Sequence, residues 1–454
     1  MYICRFAIKK RNHLHSRELF SNSVWINNQL QPATICYENG IITAIHFEKK
    51  VTAEDYGHAV IMPGVVDVHV HVNEPGRTEW EGFETATQAA AAGGTTTIID
   101  MPLNASPVTT TLKAFEDKLA ATSGKMHVNV GFYAGLIPGN VAHLKAMLQA
   151  GVVGVKCFLT HSGIDEFPNV TEKELDEAMP IIAQYNAPLL AHCELYDTEV
   201  ACGFEEHPTS YPHYLASRPK QWENDAIALM IRKCREHNCP VHIVHVASAE
   251  ALALIEAAKK EGLPITAETC TQYIYFNAED IPDARCIYKC APPIREKANN
   301  EQLKKALLSG VLDFIATDHS PAPPGIKEME SGNLKKAWGG IAGIQFLLSG
   351  SWTAVKDIMT LEQFIPLVTS KPAAFIKAEK KGAIAIGNDA DIVIWHPEAT
   401  TTIKDEDVWF RYKISPYIGQ NLYGTVSETI VNGETVYQNN LIKNKNKGKW
   451  LLQK

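Results

Sequence analysis

Eight times between residues 59 and 348, a short apolar run gives way to a segment of helical spacing. The runs are 59–72 (AVIMPGVVDVHVHV), 95–103, 126–135, 152–160 (VVGVKCFLT), 187–194 (APLLAHCE), 239–248 (CPVHIVHVAS), 263–276 (LPITAETCTQYIYF) and 311–321 (VLDFIATDHSP). The predicted helices cover 80–92, closed by Gly93-Gly94, then 110–122, 141–150, 172–185, 219–237, 249–262, 299–308 and 340–348. Strands this apolar need cover on both faces, as in a parallel sheet flanked by helices. Eight such units are the count of an α/β, TIM-type (β/α)8 barrel. An open doubly wound sheet is the alternative, but no glycine-rich phosphate loop follows the first strand.

Both flanks change character. Residues 33–45 (ATICYENGIITAI) read as a hairpin turned at Asn39-Gly40, and 423–438 as another turned at Asn432-Gly433. The chain thus divides into a barrel over 59–374 and a small, β-sandwich-like domain assembled from 1–58 and 375–454. The basic tail, LIKNKNKGKWLLQK, reads as a solvated end.

Composition narrows the function classes. The formal net charge of -8, from 43 basic and 51 acidic residues, speaks against nucleic acid or an anionic membrane as partner. No run of 18 apolar residues suggests a membrane span, and the apolar stretch at the N-terminus is too short and broken for a signal peptide. Ten scattered cysteines without a CxxC pair fit free thiols in a reducing, cytoplasmic compartment.

Barrel enzymes carry their chemistry at the C-terminal ends of the strands, so polar residues there are the candidates. The first strand ends in His69-Val70-His71, whose spacing puts both imidazoles on one side. The fourth holds Lys156 among apolar residues, costly for an unpaired ammonium. The fifth ends at His192. The sixth offers His242 and His245, which face opposite ways. His245, nearer the C-terminal end, is the one expected in the mouth, with His242 packed behind it. The eighth ends at Asp318, able to coordinate a cation and accept a proton. Six ligands exceed one tetrahedral zinc and suit two cations, which a few ångströms apart can hold a hydroxide and polarise a carbonyl. Imidazole and carboxylate donors suit Zn, Mn, Co, Ni or Fe, with zinc the default; no organic cofactor is expected.

This set resembles the cyclic amidohydrolases of the amidohydrolase superfamily, and among them the allantoinases. The resemblance is carried by residues 63–104, which open PGVVDVHVHVNEPGR, and by VKCF (155–158), KCAPPIR (289–295), TDHSPAPP (317–324), WGGIAGIQ (338–345) and GNDADIVIW (387–395). It implies the barrel with its β-domain and a binuclear centre. His69 and His71 would bind one metal with Asp318, and His192 and His245 the other. Lys156, carboxylated on its amine by carbon dioxide, would bridge them. It also implies a homotetramer acting on a small neutral ureide, allantoin, whose cyclic amide is hydrolysed to allantoate. Asp318 would be the proton-transferring catalytic residue, and Asn73, Asn104, Cys290 and Ala291 would contact substrate.

Three alternatives remain. Dihydroorotases carry an arginine for the substrate carboxylate where this chain has Asn73, and usually read MPNT where it has MPLN (101–104). Hydantoinases and dihydropyrimidinases usually lack EPGR (74–77) and carry a tyrosine where Thr160-His161-Ser162 stand. Non-catalytic scaffold relatives lose metal ligands, whereas all six are present here. The chain also departs from its relatives: Thr271-Gln272 stand where CPHY is common, and Ala291 where serine is common.

Overall fold

The computed structural model describes residues 16–196 and 202–453. The predictions for residues 1–15 lie outside the described residues.

Eight parallel strands form the barrel: Val65–Val70, Thr95–Asp100, Asn129–Phe132 continued by Ala134–Gly135, Val155–Phe158, Leu189–His192, Val241–Ile243, Ile265–Cys270 and Phe314–Ala316. The circle closes by a parallel bridge between Val70 and His319, with the His71 N–H donating to the His319 carbonyl at 2.8 Å. The interior is filled by Val66, Val68, Ile99, Tyr133, Leu190 and Phe314, which makes it a packed core. Outer helices follow each strand, among them Phe83–Ala92, Glu172–Gln184, Lys220–His237 and Leu347–Val355. Their ends match local chemistry: a capping box of Thr171 and Glu174 opens one, and Gly151, with φ of 104°, closes another.

The first apolar run is two strands. It breaks at Gly64, so that Val60–Pro63 joins a different sheet from Val65–Val70. A Cβ at Gly64 would lie 2.1 Å from the Thr96 hydroxyl, so only glycine lets the chain cross there. The second sheet has nine strands drawn from both ends of the chain, with Val60–Pro63 between Ser16–Ile26 and Ile392–Thr402. Both predicted hairpin turns are present, with positive φ at Asn39-Gly40 and Asn432-Gly433. The two turns pack together: a Cβ on Gly40 would meet the Asn432 carbonyl at 2.5 Å.

Two expectations are corrected. The seventh run is a strand only to Cys270, and Thr271–Tyr275 is a helical turn. The tail is no solvated end. Trp450–Leu451 pairs in parallel with Asn129–Phe132, the Gln453 N–H reaches the Gly151 carbonyl at 2.9 Å, and the Trp450 indole donates to Thr122 at 2.8 Å. Leu451 packs against the barrel interior, and this apolar contact, with strand pairing, outweighs the basic character of the flanking residues. No helix among the described residues is long and apolar enough to cross a membrane.

Candidate metal centre

All six predicted ligands line one cavity of about 520 Å³. The Nε2 atoms of His69 and His71 lie 3.2 and 3.3 Å from the same Asp318 oxygen, Oδ1. The first strand aims both imidazoles from one face, as two-residue spacing requires. The last strand delivers the carboxylate through a backbone turn: Asp318 has φ of 47°, a left-handed value that aspartate and asparagine adopt more readily than other non-glycine residues. Asp67 holds that turn by accepting from the N–H and hydroxyl of Thr317.

The His69 ring is oriented from behind. Its Nδ1 lies 2.5 Å from Glu268 on the seventh strand, which fixes the ring with Nε2 facing Asp318. The other Glu268 oxygen stands 3.2 Å from His242 Nε2, and His242 Nδ1 contacts the Thr266 hydroxyl at 2.8 Å. His242 thus sits behind the site.

A second imidazole pair faces the first group. His245 Nε2 lies 2.9 Å from His192 Nδ1, and Glu194 takes the opposite His192 nitrogen at 2.7 Å. Arg218 in turn forks onto both Glu194 oxygens. His245, like Asp318, has a left-handed φ, of 41°.

Burial and charge set the protonation states. Burial disfavours a charged His69, but the carboxylates of Asp318 and Glu268 outweigh it and lift the ring to about 9. Burial lowers His71 to about 4 and His245 well below the ordinary range. Burial would raise Asp318, yet the His69 charge and the hydrogen bonds from both histidines hold it well below the carboxylate range. Lys156 is buried, its Nζ has no hydrogen-bond partner among the described residues, and burial pulls it down to about 8.

These residues fit divalent cations. Two imidazole nitrogens and a carboxylate oxygen converge on one point, two more imidazole nitrogens face each other, and an orphaned amine stands in the same cavity. A further grouping of Asp176, Glu236 and His237 sits on outer helices. Its Asp176 and Glu236 carboxylates are already engaged by Lys233, at 2.6 and 2.9 Å, so it is a salt-bridge network apart from the centre.

The predicted substrate contacts divide. Asn104 and Ala291 line the cavity, and Asn104 also touches His71 Nδ1 at 3.3 Å. Asn73 and Cys290 are not among the lining residues. Asn73 bonds the Pro321 carbonyl, and the Cys290 carbonyl accepts from the Tyr214 hydroxyl at 2.6 Å. Sequence reasoning missed Glu194, Arg218 and Glu268. A glutamate inside a buried strand, as in ITAETC, was the one available signal.

Residues 60–436 match the model of the amidohydrolase family. The chain belongs to the amidohydrolase family. This amidohydrolase is 40% identical over 433 residues to the allantoinase of Arabidopsis thaliana, covering 90% of this chain and 86% of that one. It is also 40% identical over 437 residues to the allantoinase of Saccharomyces cerevisiae, covering 92% and 95%. Among solved structures, the L-hydantoinase (dihydropyrimidinase) of Arthrobacter aurescens superposes with a TM-score of 0.89 at 28% identity, covering 96% of this amidohydrolase and all of that chain.

Proposed function

We propose that this amidohydrolase opens the hydantoin ring of allantoin by adding water to its cyclic amide, giving allantoate. The observation that carries the chemistry is the convergence of His69, His71 and Asp318 opposite the His192–His245 pair. The substrate follows from the allantoinases that match nearly the full chain at 40% identity.

His69, His71 and Asp318 would hold one cation and His192 and His245 a second, with Lys156, carboxylated on its amine, between them. Two divalent cations bound there supply Lewis acidity to the ring carbonyl and ionise water at neutral pH. Asp318 accepts the proton of the attacking water and passes it to the departing ring nitrogen. Glu268 and Glu194 keep the proper imidazole nitrogens facing the site. The Ala291 backbone and Asn104 orient the ring.

Arg218 lines the cavity, but Glu194 already neutralises it, so a substrate carboxylate such as that of dihydroorotate finds no free fork there. A hydantoinase reading is the second one, supported by the Arthrobacter structure. A homotetramer in the cytoplasm is part of the proposal, resting on the family resemblance and the thiol content.

A panel of allantoin, dihydroorotate, hydantoin and dihydropyrimidines tests this reading. Allantoin should have the highest kcat/KM; faster hydrolysis of dihydroorotate or hydantoin overturns the choice. Metal analysis separates enzyme from scaffold: about two equivalents per chain is the enzyme's expectation, and none the scaffold's.

A further inference from the structure

Lys327 is buried, with 3% of its surface exposed, and no carboxylate pairs with it among the described residues. Its Nζ instead meets three main-chain carbonyls: Lys289 at 2.9 Å, Trp338 at 3.0 Å, and Gly340. Three acceptors match the three N–H groups of an ammonium. Lys289 returns the contact, its own Nζ reaching the carbonyls of Ala337 at 2.5 Å and Lys335 at 3.4 Å.

The two joined edges are walls of the same cavity: Lys289 and Ala291 line one side, and Ala337, Trp338 and Gly339 the other. Along the first edge, nearby carbonyls are taken by side chains. Lys327 takes that of Lys289, Tyr214 that of Cys290, Tyr273 that of Pro292 and Tyr211 that of Ile294. Among the described residues Ala291 makes no such bond through its own N–H or carbonyl, and it lines the cavity. A backbone pinned on both sides of one unengaged residue presents that residue's polar groups at a set position, which is how binding geometry is prepared in advance.

We propose that Lys327 is a positioning residue: with Lys289 it forms a reciprocal clasp that fixes the Lys289–Ala291 edge against the Trp338–Gly340 edge and so sets where the Ala291 backbone meets the substrate. This rests on the proposed ring-binding role of Ala291 and adds the device that holds it. Lys327 touches neither substrate nor the metal ligands in this scheme, so its loss acts on binding geometry while the metal set stays intact.

The test uses the full-length, metal-loaded enzyme with Lys327→Met and Lys327→Arg. Lys327→Met should raise KM for allantoin about tenfold or more, with kcat changed less than about threefold. Metal content should stay at the wild-type value, and new cleavage should appear within 321–340 under limited proteolysis. Lys327→Arg, which keeps charged donors, should recover part of the KM. If Lys327→Met does not fold, Lys327→Gln carries the same expectations. Unchanged KM and an unchanged cleavage pattern overturn the clasp, as does a loss confined to kcat or to bound metal. Failure of the wild type to hydrolyse allantoin overturns the proposed function instead, and the proteolysis comparison then still decides the clasp.

Discussion

His192 presents its Nδ1 to His245 Nε2 at 2.9 Å because Glu194 holds its other ring nitrogen at 2.7 Å. A neutral imidazole has one donor and one acceptor nitrogen, so the carboxylate behind the ring decides which faces the site. Glu194→Ala should therefore weaken retention of one cation roughly 10–100-fold, measured by chelator competition. Unchanged affinity for both equivalents would dismiss the tautomer argument.

Asp318 sits at φ of 47°, a region asparagine tolerates well. Asp318→Asn should keep the fold, with a thermal transition within a few degrees of wild type. Its kcat should fall about 10²–10⁴-fold, because the amide cannot accept the proton. Near-normal turnover in this variant would remove Asp318 from the proton pathway.

Lys156 Nζ is buried without a hydrogen-bond partner among the described residues. Lys156→Ala should lose most bound metal and most activity, and short carboxylates such as acetate or propionate should restore part of both by occupying the vacated space. Activity that persists without them would rule out the bridging role.

The same amine gives a pH dependence. Carbon dioxide adds to a free amine, and burial holds Lys156 near 8 rather than at the ordinary lysine value. The neutral fraction is then roughly a tenth at pH 7 and rises with pH. Reconstitution of the metal-free protein, at fixed dissolved carbon dioxide, should accelerate from pH 6.5 and level off near pH 9. A rate still climbing at pH 10 would indicate an unperturbed lysine.

The tail's strand pairing and its Leu451 contact should matter for stability. Removing residues 448–454 costs several hydrogen bonds at about 1 kcal/mol each and two partly buried leucines, Leu451 and Leu452. The expected result is a Tm lower by several degrees in calorimetry.

Much of the scheme was legible because it is periodic. The eight apolar runs are spaced by helices, and His69-Val70-His71 states its own geometry through strand alternation. What stayed hidden is contact between distant segments. Nothing local to Arg218 reveals that it forks onto Glu194, and nothing in KNKGKWLLQK says that Leu451 packs against the barrel interior. The break at Gly64 was masked because both halves are equally apolar, and only the approach of Thr96 separates them. Asn73 reads like a site residue but turns to the Pro321 carbonyl instead.

The nine-stranded sheet also constrains how the chain can be made. Within it Pro63 pairs with Ile392, a partner roughly three hundred residues away. At a synthesis rate of about 5–20 residues per second, the Val60–Pro63 edge waits tens of seconds before its neighbour leaves the ribosome. Until then a nascent chain carries an unpaired strand edge that invites wrong partners. Ribosome-bound chains stalled before residue 392 should therefore be richer in chaperone contacts than those stalled after the last strand has emerged.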